Sequence, residues 1–406
     1  MERLTRQVLL WGCLVGLTAN YVQASTPEDD AVPRVVASDS EVSAYQKIVD
    51  DMASRMGAYA PDLPEKLLSL GAALQKQGRH KEAIRVFKRG THLARINNGL
   101  YSAAQIPLIQ GEITSYIATG EFLEADNRQQ YMHSVQQRSL NNPDSRVQAL
   151  MQQAAWQQSA YQMRLGEQPF VRLLNMWDLY RVALSDIADR EGDTSVNLLP
   201  PLDGLLQAQY LISDHHNASS AASSSADTSF GTRQSQNRFN AYRARSYTQG
   251  SSVIRAIYDV RKAQVKDQNF AAAESLVMLG DWMLWHGDHE AAFRAYREAM
   301  GELAQLDDAQ QQIERLFGQP VALPTIEGVR SLPEEVAVND SDILLEFTVT
   351  EHGKVTNLSR VDVKEEYENS TIKLMRKLRS TPFRPRFESM NPVVTEKMTH
   401  AYKISP

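Results

Sequence analysis

Between Leu67 and Gly99 the chain reads LLSLGAALQKQGRHKEAIRVFKRGTHLARINNG. Its apolar or small residues fall at Leu67, Leu70, Gly71, Leu74, Gly78, Ala83, Phe87 and Gly90. That i, i+3, i+4, i+7 spacing predicts two amphipathic helices with a turn at Gly78-Arg79-His80. Gly71, Ala83 and Gly90 let the paired helices approach closely while Leu74 and Phe87 fill the space between them, so the pattern encodes packing. The same intervals return far downstream at Leu276, Leu279, Gly280, Met283, Gly287, Ala292, Tyr296 and Ala299. Two matched segments predict stacked helix pairs, with more degenerate copies between them.

The intervening chain keeps part of the rhythm. Gly78 to Gly120 and Ala83 to Ala125 are both 42 residues, and a turn follows twelve residues after each of Phe87, Tyr131 and Tyr180, at Gly99, Pro143 and Gly192. Repeats are expected over 64–100, 101–143 and 144–192, with a partial one over 193–213. An apolar stripe at Ala44, Ile48, Val49, Met52 and Met56 starts helical character near Glu41. From Asp214 to Gly250 the sequence turns Ser-, Ala-, Asn- and Gln-rich without an apolar period, which predicts a disordered loop or linker. Its arginines, interleaved with Phe239, Tyr242 and Tyr247, are read as solvated. Helices resume after Ser251, and Pro320 and Pro324 close the helical region. The expected layout is repeats over 41–213, the linker 214–250, a C-terminal repeat over 251–318 and a second linker over 319–340.

Residues 341–406 follow a different period. Ile343 to Thr350 alternates as a strand, Glu351-His352-Gly353-Lys354 is a turn, and Val355 to Val363 is a second strand. A short helix over Asn369 to Arg379 and a third strand over Pro392 to Ile404 complete a β-β-α-β order. The fold class is therefore mainly α, a helical-repeat array followed by a small α+β domain. Lys373, Arg376, Lys377, Arg379, Arg384 and Arg386 make the helix and its sequel locally basic, either a solvated face or a docking patch for an acidic partner or anionic cell wall.

Charge and leader sequence narrow the setting. A net charge of -6 argues against a general nucleic-acid binder, which needs a basic surface to displace counterions. Arg3 and Arg6, the apolar run Val8 to Ala19 and the small-residue end at Ala24 read as a cleavable signal peptide over 1–24, an uncleaved anchor being the alternative, followed by a polar, flexible stretch over 25–40. Cys13, the only cysteine, falls inside that leader, so a mature chain beginning at Ser25 has no disulfide and no thiolate chemistry.

The Leu67–Gly99 pattern resembles the tetratricopeptide repeat (TPR), and the 42-residue period resembles its kinesin-light-chain type. The order of 341–406, with Gly353 followed by Val355, the basic helix and Pro382-Phe383-Arg384-Pro385, resembles the C-terminal domain of TonB. The first resemblance implies a non-catalytic scaffold that holds protein or peptide partners, with Gln75 and Lys76 where that family exposes side chains to its groove. The second implies a periplasmic setting in a Gram-negative bacterium and a partner, periplasmic or outer-membrane, added as a strand along an edge beginning at Val393, Val394 and Thr395. Arg376, Lys377, Arg384 and Arg386 join that candidate surface. A TonB-type role in energy-coupled outer-membrane transport is the alternative, although TonB proper keeps a membrane helix and a proline-rich spacer where this chain has a leader and repeats.

Little in the sequence points to catalysis. It contains no GxSxG, HExxH, P-loop or GxGxxG motif. His286, Asp288 and His289 have the residue types of a metal site but lack a third ligand outside their turn, and they are read as a solvated turn. His215-His216 is read the same way, and Trp156, Trp177, Trp282 and Trp285 as packing. No cofactor is expected.

Overall fold

A computed structural model describes residues 39–403 apart from 167, 216–229, 265–269, 327, 330–331 and 362–366. The expected signal peptide lies outside the described residues. The chain is mostly helical, a TPR-like arrangement of repeats followed by a small strand-rich region, and it divides into two compact units, 1–172 and 173–406.

The first unit holds α1 (Asp39–Met56), α2 (Leu63–Lys76), α3 (His80–Asn98), α4 (Ile106–Ala118), α5 (Phe122–Ser139) and α6 (Pro143–Gln162). Neighbours in sequence pack side by side. Leu63, Leu67, Leu70 and Leu74 of α2 meet Ala83, Phe87 and Ala94 of α3 in one core with Leu108 of α4. The Phe87 ring explains the spacing of the glycines. A Cβ on Gly71 would overlap it, and a Cβ on Gly111 of α4 would overlap it from the other side. One aromatic ring thus bridges two successive repeats through the absence of two side chains.

In the next repeat the 42-residue interval places Gln129, not an aromatic, at the position of Phe87. Gln129 is buried and its amide donates to Gln153 Oε1 on α6 at 3.1 Å. Tyr131, which the turn spacing aligned with Phe87, is half-buried; its hydroxyl donates to Gln105 Oε1 at 2.7 Å, and its ring lies under the Arg128 guanidinium. Two buried acid–arginine pairs join these helices. Glu112 of α4 accepts from Thr91 (2.8 Å) and Arg128 (2.9 Å), while Asp126 of α5 accepts from Trp156 Nε1 (2.8 Å) and Arg172 (2.6 Å).

The second unit contains most of α7 (Pro169–Glu191), then α8 (Leu199–Asp214), α9 (Phe230–Ala244), α10 (Ser246–Gln264), α11 (Phe270–Trp285), α12 (His289–Leu303) and α13 (Ala309–Phe317). The ring-on-glycine contact recurs: Tyr180 faces Gly204, Trp282 faces Gly250 and Tyr296 faces Gly280, each leaving no room for a Cβ. Residues 230–250, expected as disordered, are helical. Phe239 is fully buried, Tyr242 meets Trp177 edge-on at 6.1 Å, and Arg238 pairs with Asp178 at 2.5 Å. A few aromatic anchors order a segment whose average composition is polar.

The strand-rich end has the expected β-β-α-β core: β2 (Ile343–Val349), β3 (Val355–Arg360), α14 (Glu368–Ser380) and β7 (Thr395–Tyr402). The antiparallel order is β3-β2-β7, and Thr371, Leu374 and Leu378 turn α14 onto that sheet. Short strands β1 (Val321–Ala322) and β4 (Phe383–Arg384) pair with each other, as do β5 (Arg386–Glu388) and β6 (Asn391–Val393). Gly353 takes a left-handed φ of 73° in the β2–β3 turn, and its carbonyl accepts from Phe383 N at 2.8 Å. The expected linker 319–340 is tied in at both ends. Its Val321 and Ala322 pair with β4, and Val336 N donates to Ala401 O at 3.0 Å. Open backbone groups beside a small sheet recruit that segment.

Gly280→Ala forces a methyl into the Tyr296 ring and is expected to destabilise the second unit by about 1–3 kcal/mol in urea unfolding. Gly301→Ala, a helical glycine with open space around it, is expected to be neutral or to stabilise by up to about 1 kcal/mol.

Candidate partner-binding surfaces

The residues expected to bind partners occupy unlike environments. Gln75 is half-buried and its amide already donates to Gly111 O (2.9 Å) and Ser115 Oγ (2.8 Å) on α4, so it ties two repeats together. Lys76 is exposed, with Nζ 4.0 Å from the Glu41 carboxylate. Arg376 and Lys377 are exposed on α14. Arg386 is half-buried and pairs with Glu388 at 2.8 Å. Val393 pairs with Arg386 inside the β5–β6 hairpin, Val394 is exposed, and Thr395 opens β7 opposite Val349.

Arg384 departs most from its expected role. It is 6% exposed, and its Nη1 donates to both carboxylate oxygens of Asp281 on α11, at 3.2 and 3.0 Å. Asp281, 3% exposed, also accepts from the Tyr296 hydroxyl at 2.8 Å. Burial pushes the Asp281 carboxyl upward, while Arg384 and the Tyr296 hydroxyl pull it down. Phe387 packs into the same seam, with its ring centroid 5.3 Å from Phe317 and 5.5 Å from Tyr296. The cation that looked like part of a surface patch is the counterion of a buried acid on the last repeat.

The turn after α11 is likewise more enclosed than its composition suggested. His286 lies among Trp282 (4.4 Å between centroids), Trp285 (4.9 Å) and Tyr247 (5.4 Å), and its Nε2 is buried without a hydrogen bond. Burial lowers its pKa to about 4. Asp288 caps α12 by accepting from Ala291 N and also takes the Tyr247 hydroxyl at 2.6 Å. The His289 ring sits 5.8 Å from that of His352 in the β2–β3 turn, and burial together with the His352 and Lys354 charges lowers its pKa. Among the described residues no cluster of three or more His, Cys, Asp or Glu is placed to hold a metal, and no helix is long and apolar enough to cross a membrane.

Several large apolar side chains of the first unit are exposed near two of its connections. Met56 ends α1 and Tyr59 follows it before α2, while Ile96, Leu100 and Tyr101 lie around the end of α3; all are exposed. The two connections meet where Asn97 Nδ2 donates to Ala60 O, and Arg138 at the end of α5 covers the Tyr101 ring at 4.3 Å. The opposite connections, Gly78-Arg79 and Gly120-Glu121, are small and polar, with exposed Leu123 just beyond the second. Nearby, a cleft of about 780 Å³ opens between α1 and α3. Leu70 and Leu74 of α2 form its floor, and Lys47, Asp50, Arg79 and Glu82 are among its rim residues. Met56 belongs to the apolar stripe that marks α1, while Tyr59, Leu100 and Tyr101 carry no periodic signal, because connection residues have no fixed spacing.

No family model matches the chain, and no curated protein matches it at a significant level. Among solved structures it is similar to BtubC (BKLC) from P. vanneervenii, at 12% identity and a TM-score of 0.37 over 66% of this chain and 91% of that one. It is also similar to a kinesin-light-chain-type protein of Podosopora anserina built of nearly identical TPR-like repeats, at 12% identity and a TM-score of 0.39 over 60% of this chain and 97% of that one. At these values neither carries a residue or a role to this chain.

Arg384→Ala leaves Asp281 buried without its counterion and is expected to cost about 3–5 kcal/mol of unfolding free energy; adding Asp281→Asn should recover part of that loss. The depressed His286 pKa sets a pH dependence. Between about 4 and 6.5 the unfolded chain binds the proton that the folded chain refuses, so stability rises with pH through that window. Thermal midpoints of the wild-type protein should fall from pH 7 to pH 5, and His286→Phe should flatten that slope.

Proposed function

We propose that the protein is a non-catalytic scaffold that binds a protein partner through its repeats, using the apolar edge of the first unit. The observation that carries this reading is the cluster of Met56, Tyr59, Ile96, Leu100 and Tyr101, exposed beside Arg138. Tyr and Arg are enriched at interface hot spots, and large apolar side chains exposed near one another on a folded surface mark interaction sites. The cleft between α1 and α3 opens toward the start of α3, at Arg79 and Glu82, and is a separate opening in the same unit.

The export and terminal-domain readings belong to the same proposal. A chain cleaved after Ala24 would work in the periplasm, and the terminal module would hold a second partner by strand addition along β7. What supports that mode is the place of β7 as an outer strand of its three-stranded sheet. The space along it is short: Glu335 and Val336 cover the Ala401–Tyr402 end, and Lys397 interrupts the strand with a left-handed φ of 55°. Coupling to outer-membrane transport remains the second reading, on the TonB resemblance of 341–406.

Photo-crosslinkers placed at Leu100 and, as a control, at Lys81 test the first claim in the full chain. We expect a discrete protein adduct from Leu100, lost in Tyr59→Ser/Tyr101→Ser and missing from Lys81; equal adducts at both positions would reject the apolar edge as the binding surface. Intact-mass measurement of protein recovered from its native host is expected to show a chain beginning at Ser25, and a chain retaining Met1 in the membrane fraction would favour the transport-coupling reading instead.

A further inference from the structure

We propose that the outer face of α14 is a docking surface for an anionic phospholipid bilayer. Lys373, Arg376 and Lys377 follow the i, i+3, i+4 spacing of one helical stripe, Arg379 lies beside them, and all four are exposed. The opposite face is consumed by Thr371, Leu374 and Leu378 packing on the sheet, so the cations point outward by helical geometry. Among the described residues none of the four has a carboxylate within ion-pair distance, whereas Arg79, Arg190 and Arg238 all do.

Helix stability accounts for only part of this charge. Lys377 and Arg379 stand in the last turn, where cations complement the helix dipole. Lys373 and Arg376 stand upstream of it and gain nothing there. In a chain of net charge -6, four clustered cations with no ion-pair partner among the described residues are a local reversal of sign that selects a polyanion.

The shape of the face decides which polyanion. Ile372, 48% exposed, is one turn from Arg376 and two turns from Arg379, so an apolar side chain shares the edge of the basic stripe. With Leu374 and Leu378 spent on the sheet, contact with a bilayer is made by the four cations and the Ile372 side chain at headgroup depth, where basic side chains meet anionic lipid. Each cation near an anionic leaflet strengthens association about fivefold, and salt screens the attraction over about 8 Å at physiological ionic strength.

The test is co-sedimentation of the full chain with vesicles of phosphatidylcholine alone and of phosphatidylcholine with phosphatidylglycerol in roughly equal parts. Binding is expected only to the anionic vesicles, and it should be lost near 0.5 M salt. Lys373→Glu/Lys377→Glu should lower partitioning by about 25-fold or more while leaving the thermal midpoint unchanged, and Ile372→Ser should lower it by a smaller factor. Equal binding to neutral vesicles, no binding at low salt, or a double variant that binds like the parent would overturn the proposal. Saturable binding to a polyglutamate peptide that outcompetes the anionic vesicles would overturn it in favour of an acidic protein. None of these outcomes bears on crosslinking at Leu100 in the first unit.

Discussion

The constraint on which the second unit depends is the buried charge of Asp281. A carboxylate on the last repeat helix, shut away from water, is tolerable only with a partner, and that partner is Arg384, 103 residues further along the chain. Such a pair adds little net stability compared with well-packed apolar residues, but losing either member is expensive. Its consequence is positional. With Asp281 meeting Arg384 and the Tyr296 hydroxyl, Phe387 falls beside Phe317 and Tyr296, so one buried pair and three rings fix how the strand-rich module sits on the last repeat. A repeat array needs its final apolar face covered, and here α13 and the β4–β5 segment cover it.

Similar logic runs through the first unit. Where the repeat signature is strong, Phe87 rests on two glycines and the interface is apolar. Where the signature fades, Glu112–Arg128 and Asp126–Arg172 take over, with Gln129 and Gln153 bonded between helices. The degenerate repeats have exchanged shape complementarity for buried hydrogen bonds. Such bonds hold an interface only while every group stays paired, which restricts substitution as strictly as packing does.

That exchange explains what was legible in the sequence. Leu70, Gly71, Leu74 and Phe87 announce a helix pair because size and period together leave few alternatives, and β2 announces itself by alternation. Gln129 at an aromatic position gives no such signal, since a glutamine reads as surface unless its bonded neighbour is known. Residues 230–250 misled for the same reason: Phe239 and Tyr242 order a helix whose other residues are polar. Arg384 sits in a basic run, and nothing local separates it from Arg376 or Lys377. Only its distant acid makes it structural, and a contact across 103 residues leaves no trace in a short window.

The same distinction separates surface from core in function. Gln75, Arg384 and Arg386 had the residue types of a binding site, yet each is engaged within the fold. The apolar side chains around Tyr59 and Leu100 and the basic face of α14 stay open after those bonds are made, the latter without an ion-pair partner among the described residues. Neither contributes to the packing that defines the repeats, and neither lies at a position the repeat pattern marks. In a fold whose recognisable residues are consumed by stacking helices on one another, recognition of partners falls to side chains the repeat leaves unconstrained, on connections and on the outward faces of helices.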